Sequence, residues 1–189
     1  MKSIKIYVIL SIILFIYAGC MQQKMDADSF NKLLSHRNMG LAYLEEERYT
    51  DAVKEFMTFI NIAPSEAFGY ANAGWAYLQS PGKLDSAEIM IEQAMKLSPG
   101  NPDISFLAAK MFELTNRTSQ AMETLRHTIT NHPEHVLTLY QLSEYYRQPT
   151  DNINLQKAEG LLHKIVKTVP GNITAQLKLI DLSIKNGHS

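Results

Sequence analysis

The chain has 189 residues, 46% of them hydrophobic and 20% charged, with 7 Pro and 9 Gly, a balance that excludes disordered, fibrous and low-complexity classes. Lys and Arg number 18 against 19 Asp and Glu, a formal net charge of -1, which argues against a nucleic-acid binder working by counterion release. A single cysteine, Cys20, excludes disulfide frameworks and cysteine-based zinc sites, since each needs at least a pair of thiols.

The first element is an address rather than part of a fold. Lys2 and Lys5 precede an apolar run over residues 6–17, which closes on Ala18-Gly19-Cys20. As a helix, residues 6–20 would span about 22 Å, short of the roughly 30 Å hydrocarbon core, so a secretory signal fits better than a membrane span. Small residues directly before the only cysteine resemble the lipobox of bacterial lipoproteins, with Tyr17 where that family usually has Leu or another aliphatic residue. The resemblance implies a signal peptide over residues 1–19, cut before a diacylglyceryl-modified Cys20. Several acyl chains at about 0.8 kcal/mol per buried CH₂ would then hold the protein on a membrane. The expected location is the bacterial cell envelope, on the periplasmic face of the outer membrane. Residues 20–28 read as the lipidated cysteine and a polar tether, and residues 29–189 as one folded domain.

That domain is self-similar. Ala52, Ala87, Ala121 and Ala158 lie 35, 34 and 37 residues apart, and Pro64, Pro99, Pro133 and Pro170 keep the same three intervals. Small residues at Gly40, Gly74, Ala109 and Ser143 recur in step, each followed three positions later by an aromatic: Tyr43, Tyr77, Phe112 and Tyr146. This pattern resembles the tetratricopeptide repeat, a helix-turn-helix of 34 residues with a small residue, an aromatic, an alanine and a proline at set offsets. Tryptophan at the first motif position is missing throughout. The expected fold is all-α, an α-solenoid of stacked hairpins with repeats at about 33–66, 67–101, 102–135 and 136–172 and a partial fifth over 173–189.

The pattern predicts helices over 29–46, 49–62, 66–79, 84–97, 102–115, 118–131, 134–147, 154–168 and 173–186. Ser65, Asn101 before Pro102, and Asn172 are the expected caps. Extra residues fall in the turns at 79–83 and 147–154, where a hairpin tolerates them. The last helix reads either as a terminal cap or as the start of a fifth repeat in a longer protein. Its many apolar residues differ from the polar outer face expected of a cap.

In the family the inner surface is lined mainly by the first helix of each pair. Carried onto this sequence, the resemblance implies a partner-binding groove of Arg37, Asn38, Leu41, Asn72, Trp75, Phe106, Lys110, Tyr140, Glu144 and Arg147. Leu34, Leu44, Phe68, Ala71, Leu78, Glu113 and Gln141 stand at neighbouring register positions. Aromatic and arginine side chains are common binding anchors, which favours Trp75, Phe106, Tyr140 and Arg147. Trp75 also reads as a side chain packed between repeats. Asn38 and Asn72 share one register, where some family members hold a peptide backbone with an amide that donates and accepts together. The basic clamp of some members is not reproduced, because Asp103 and Leu107 stand where it needs Lys and Arg.

His127, His132 and His135 cluster near a turn but have no thiol or acidic partner at fixed spacing, so a solvated turn is expected rather than a metal site. Glu45, Glu46 and Glu47 before Arg48 read as a solvated helix end. Nucleotide-binding, nucleophile-elbow and metalloprotease motifs are absent from the sequence. The resulting expectation is a non-enzymatic, membrane-anchored scaffold that needs no cofactor, metal or small-molecule substrate and binds a protein or extended peptide. The alternative is the front module of a larger envelope protein whose C-terminal domain carries an enzymatic or sugar-binding activity.

Overall fold

Second helices stop where proline dictates. In a computed structural model, which describes residues 26–148 and 152–185, every regular element among the described residues is an α-helix. In chain order these are α1 (Ala27–Glu45), α2 (Tyr49–Ile62), α3 (Ala67–Leu78), α4 (Leu84–Leu97), α5 (Pro102–Leu114), α6 (Thr118–Asn131), α7 (Val136–Arg147), α8 (Asn152–Thr168) and α9 (Ile173–Lys185). Helices α2, α4, α6 and α8 each end two residues before Pro64, Pro99, Pro133 and Pro170. The residue before a proline is pushed out of the α region. Ala63, Ser98 and His132 accordingly share one geometry, with φ of -134°, -136° and -130° and ψ of 73°, 73° and 72°. The expected all-α solenoid of hairpins is what the chain forms. The signal segment and Cys20 lie outside the described residues, as do residues 149–151 of one expected turn.

The chain divides into two units, Met1–Ser35 and His36–Ser189. In the first, Asp26 starts α1: its Oδ1 accepts from the Ser29 backbone N–H at 2.9 Å and its Oδ2 from the Ser29 hydroxyl at 2.7 Å. Lys32 follows with a 2.7 Å ion pair to Asp28 one turn back. With that cap the helix begins at Ala27, so Ala27 and Asp28 belong to it rather than to the expected tether.

In the second unit the periodic residues meet one another. Ala52, Ala87, Ala121 and Ala158 are all fully buried, as are Phe56, Ile91, Leu125 and Leu162 four residues on. The small register faces them. A Cβ on Gly40 would stand 2.6 Å from Phe56 Cε1, and one on Gly74 2.6 Å from Ile91 Cγ1, so each first helix lies against its second helix too closely for a larger side chain. Ala109 and Ser143 are buried at the same register. Each hairpin then packs on the next through three linked clusters: Tyr70 joins the first to the second, and Phe112 the second to the third.

The turns add a device that the pattern does not announce. Glu47 and Asn116 take left-handed φ values of 58° and 59°. Each allows two backbone bonds that close the first helix: Glu47 N–H to Leu44 and Arg48 N–H to Tyr43, then Asn116 N–H to Glu113 and Arg117 N–H to Phe112. Arg48 and Arg117 thereby sit over the motif aromatics, 4.2 Å from the Tyr43 ring centre and 4.8 Å from that of Phe112. The end of the charge run is thus a stacked arginine, which also pairs with Glu46 and Asp51. Of the expected caps, Asn101 accepts from Asp103 and Ile104 N–H and Asn172 from Ala175 N–H. Ser65 does not serve: α3 starts one residue later, behind Glu66, which makes no side-chain cap bond.

Gly74→Leu should lower stability by about 1–3 kcal/mol through overpacking against Ile91. Gly160→Ala, with open space around the new Cβ, should raise it by about 0.5–1 kcal/mol. Denaturant unfolding followed by circular dichroism measures both, and equal effects would overturn the close-approach account.

Candidate functional site

The hairpin geometry brings successive first helices side by side, since α3 touches α5 and α5 touches α7. Their shared surface has two zones of different chemistry. Between α3 and α5 lies a recess of about 210 Å³ lined by Phe68, Asn72 and Trp75 from one helix and Asp103, Phe106 and Leu107 from the other. Phe68 is 47% exposed and Trp75 37% exposed, a large share for two aromatics on one face of a helix. Phe106 is half-buried and packs on the core beneath. Trp75 therefore opens onto the recess.

Asn72 is half-buried in the same wall. Asp103 and Leu107, which displace the basic clamp of the resemblance, also face the recess, so an acid and an aliphatic side chain stand where that clamp would supply cations. Asp103 Oδ1 lies 3.0 Å from His135 Nε2 across the repeat boundary. Larger recesses of about 400 Å³ lie at the turns, one around Pro99 and His127 and one around Pro102 and His132. They are built from turn residues and parts of α4, α5 and α6, and no Phe, Tyr or Trp lines either one.

The second zone is charged and already occupied. Lys110 Nζ lies 2.9 Å from Glu113 Oε2, which also accepts from Gln141 at 3.3 Å. Tyr140 is half-buried with Lys178 Nζ 5.1 Å from its ring centre. Glu144 pairs with Lys178 at 2.9 Å and with Arg147 at 3.1 Å. Arg147 reaches on to Asp181 of α9 at 2.6 Å. Burial pulls the Glu144 carboxyl upward, but hydrogen bonds from Lys178 and Arg147 more than offset it and hold the group below its ordinary value. Tyr140, Glu144 and Arg147, expected as groove contacts, are the residues that dock α9.

Arg37 and Asn38 are exposed on α1, whereas Leu41 is half-buried and packs on the Ala52 and Phe56 cluster. The histidines separate into ordinary hydrogen bonds: His132 Nε2 with the Gly100 carbonyl at 2.9 Å and His135 Nδ1 with the Thr138 hydroxyl at 2.6 Å. Among the described residues no three His, Cys, Asp or Glu side chains converge as a metal site would require. Among those residues, too, no helix is long and apolar enough to cross a membrane. Phe68 was legible only as a register position. Its role as a groove wall comes from facing Phe106 on the next hairpin.

Residues 37–66 match the tetratricopeptide repeat model. Compared by sequence with curated proteins, the chain matches none. Among solved structures it is similar to the pilF protein of Pseudomonas aeruginosa, with 17% identity, 84% of this chain and 71% of that one covered, and a TM-score of 0.71. A thermophilic tetratricopeptide-repeat protein of Thermus thermophilus has 15% identity, covers 77% and 78% and gives a TM-score of 0.66. MamA from Desulfovibrio magneticus RS-1 has 16% identity, covers 83% and 86% and gives 0.61. These likenesses show the fold, a tetratricopeptide-repeat solenoid. Proteins of this fold are generally scaffolds without catalytic activity that bind protein partners in the groove.

The α7 to α9 network carries a pH signature. A carboxyl held low in the folded chain contributes fully above its ordinary value, and that contribution is lost as pH falls through the lowered value. Stability should therefore drop on acidification below roughly pH 4.5. Glu144→Gln should cost about 1–2 kcal/mol at pH 7 and shrink the drop, as read by denaturant unfolding at pH 7 and pH 3.

Proposed function

We propose that this tetratricopeptide-repeat solenoid is a lipid-anchored adaptor of the bacterial cell envelope that captures an extended peptide segment of a protein partner. The open aromatic recess between α3 and α5 carries the reading. Phe68, Trp75 and Phe106 offer three aromatic faces to a bulky apolar side chain, whose burial is worth about 1.5–3 kcal/mol. Asn72 stands beside them with an amide that suits a peptide backbone, because it donates to a carbonyl and accepts from an N–H. The carboxylate of Asp103 at the rim favours a partner with a basic residue next to its apolar anchor and disfavours an acidic tail. Binding rather than catalysis is the activity in this reading, in keeping with scaffolds of the same fold.

The anchor in this reading is Cys20, on the strength of the sequence alone: Lys2 and Lys5, the apolar run, and Ala18-Gly19 before the only cysteine. The periplasmic face of the outer membrane is the proposed location, with the repeats reaching into the periplasm to assemble envelope complexes.

Photo-crosslinking in native membranes tests the groove. A reactive amino acid at Asn72 should trap a partner that the same probe at Lys164, on the exposed side of α8, does not. Trp75→Glu should weaken that capture at least about tenfold, equivalent to about 1.4 kcal/mol, while leaving the melting curve in place. Equal trapping at both positions would overturn the groove. Cys20→Ala should move the protein from the membrane pellet to the soluble fraction, and unchanged pelleting would overturn the anchor.

A further inference from the structure

We infer that the recess between α3 and α5 takes an arginine side chain of the partner segment, laid along the Phe68 ring with its guanidinium on Asp103. This rests on the peptide-capture reading above and adds to it the identity of the basic residue. Phe68 and Asp103 both line the recess, and the Asp103 side chain is 62% exposed. An aromatic face and a carboxylate thus open onto one space.

Elsewhere the chain fills such a pair of groups with its own guanidinium. Arg48 lies 4.2 Å from the Tyr43 ring centre and 2.9 Å from Asp51, and Arg117 lies 4.8 Å from that of Phe112 and 2.8 Å from Glu88. Arg126 repeats the arrangement, 5.9 Å from the Tyr146 ring centre and 3.4 Å from Glu123. In the recess the ring and the carboxylate are present, but no Lys or Arg lines it. Among the described residues no Lys or Arg pairs with Asp103 either. The cation that completes the set must come from the partner.

The carboxylate is held in place for it. His135 Nε2 lies 3.0 Å from Asp103 Oδ1, and His135 Nδ1 lies 2.6 Å from the hydroxyl of Thr138, which is fully buried. A neutral ring that accepts from Thr138 donates to Asp103, and so fixes the carboxylate without cancelling its charge. Oδ2 has no hydrogen-bond partner among the described residues, and Oδ1 keeps a second lone pair, so two N–H groups can be received. Arginine suits this better than lysine. A guanidinium is planar and weakly hydrated, so it can lie on a ring while two of its N–H groups reach one carboxylate, whereas an ammonium is a compact charge that holds its water. Trp75 and Phe106 remain for the apolar anchor.

Selection from a random dodecapeptide phage library on the full chain in detergent micelles reads the preference. Enriched peptides should carry an arginine beside a bulky apolar residue, and Asp103→Asn should abolish the arginine enrichment while the apolar one persists. Trp75, the only tryptophan of the chain, then reports binding of a synthetic selected peptide through its fluorescence. Replacing the arginine with lysine, or with citrulline, which keeps the planar shape without the charge, should weaken binding at least about tenfold. On Asp103→Asn the citrulline replacement should cost nothing further. Apolar enrichment without arginine, lysine as frequent as arginine, or arginine enrichment that survives Asp103→Asn overturns the inference and leaves the groove reading standing. Enrichment that survives Trp75→Glu, or no enrichment at all, overturns the groove reading and the inference with it.

Discussion

The close approach at the small-residue register is the constraint on which the stack depends. Where Gly40 meets Phe56 and Gly74 meets Ile91, the absence of a side chain on one helix admits a bulky one from the other. Ala52, Ala87, Ala121 and Ala158 leave the room those bulky groups need, and the whole set is fully buried. Proline then ends each second helix at the same distance past this contact, so every hairpin presents the next with a similar surface. A solenoid follows because each hairpin buries only one side on its own partner.

From that arrangement the working surface follows as a remainder. First helices stand next to first helices, so side chains that point away from the second helices meet only their counterparts on the neighbouring repeat. In the middle of the stack those are Phe68, Trp75 and Phe106, which leave an uncovered aromatic recess. Toward the C-terminal side they are Tyr140, Glu144 and Arg147, and there Lys178 and Asp181 of α9 close over them. One register is thus left open in one repeat and used for docking in another. The difference lies in whether a neighbouring helix brings complementary charge.

At α9 the same register changes meaning again. A glycine, alanine or serine there accepts a tight hairpin, whereas Ile180 presents a ridge. It is 56% exposed, whereas Gly74, Ala109 and Ser143 are buried under α4, α6 and α8. The repeat pattern is therefore intact in spacing at α9 but larger in side-chain size at this position.

The sequence by itself determined the helices, their order and the small, aromatic, alanine and proline positions, because these depend on local backbone rules and on contacts repeated in every hairpin. The ends differ where local contacts intervene, as when Asp26 caps α1 early, or where an expected cap goes unused, as at Ser65. What only the tertiary structure decided is which register residues are free. Trp75 and Arg147 look alike in sequence as candidate anchors, yet one lines an open recess and the other is held by Asp181, 34 residues away. Nor does spacing reveal that Arg48 and Arg117 stack on Tyr43 and Phe112, since that rests on a left-handed residue at each turn. Periodicity specifies which side of a helix faces inward, but the partner across the gap comes from another repeat, and its charge and size decide whether a side chain binds, docks or stays exposed.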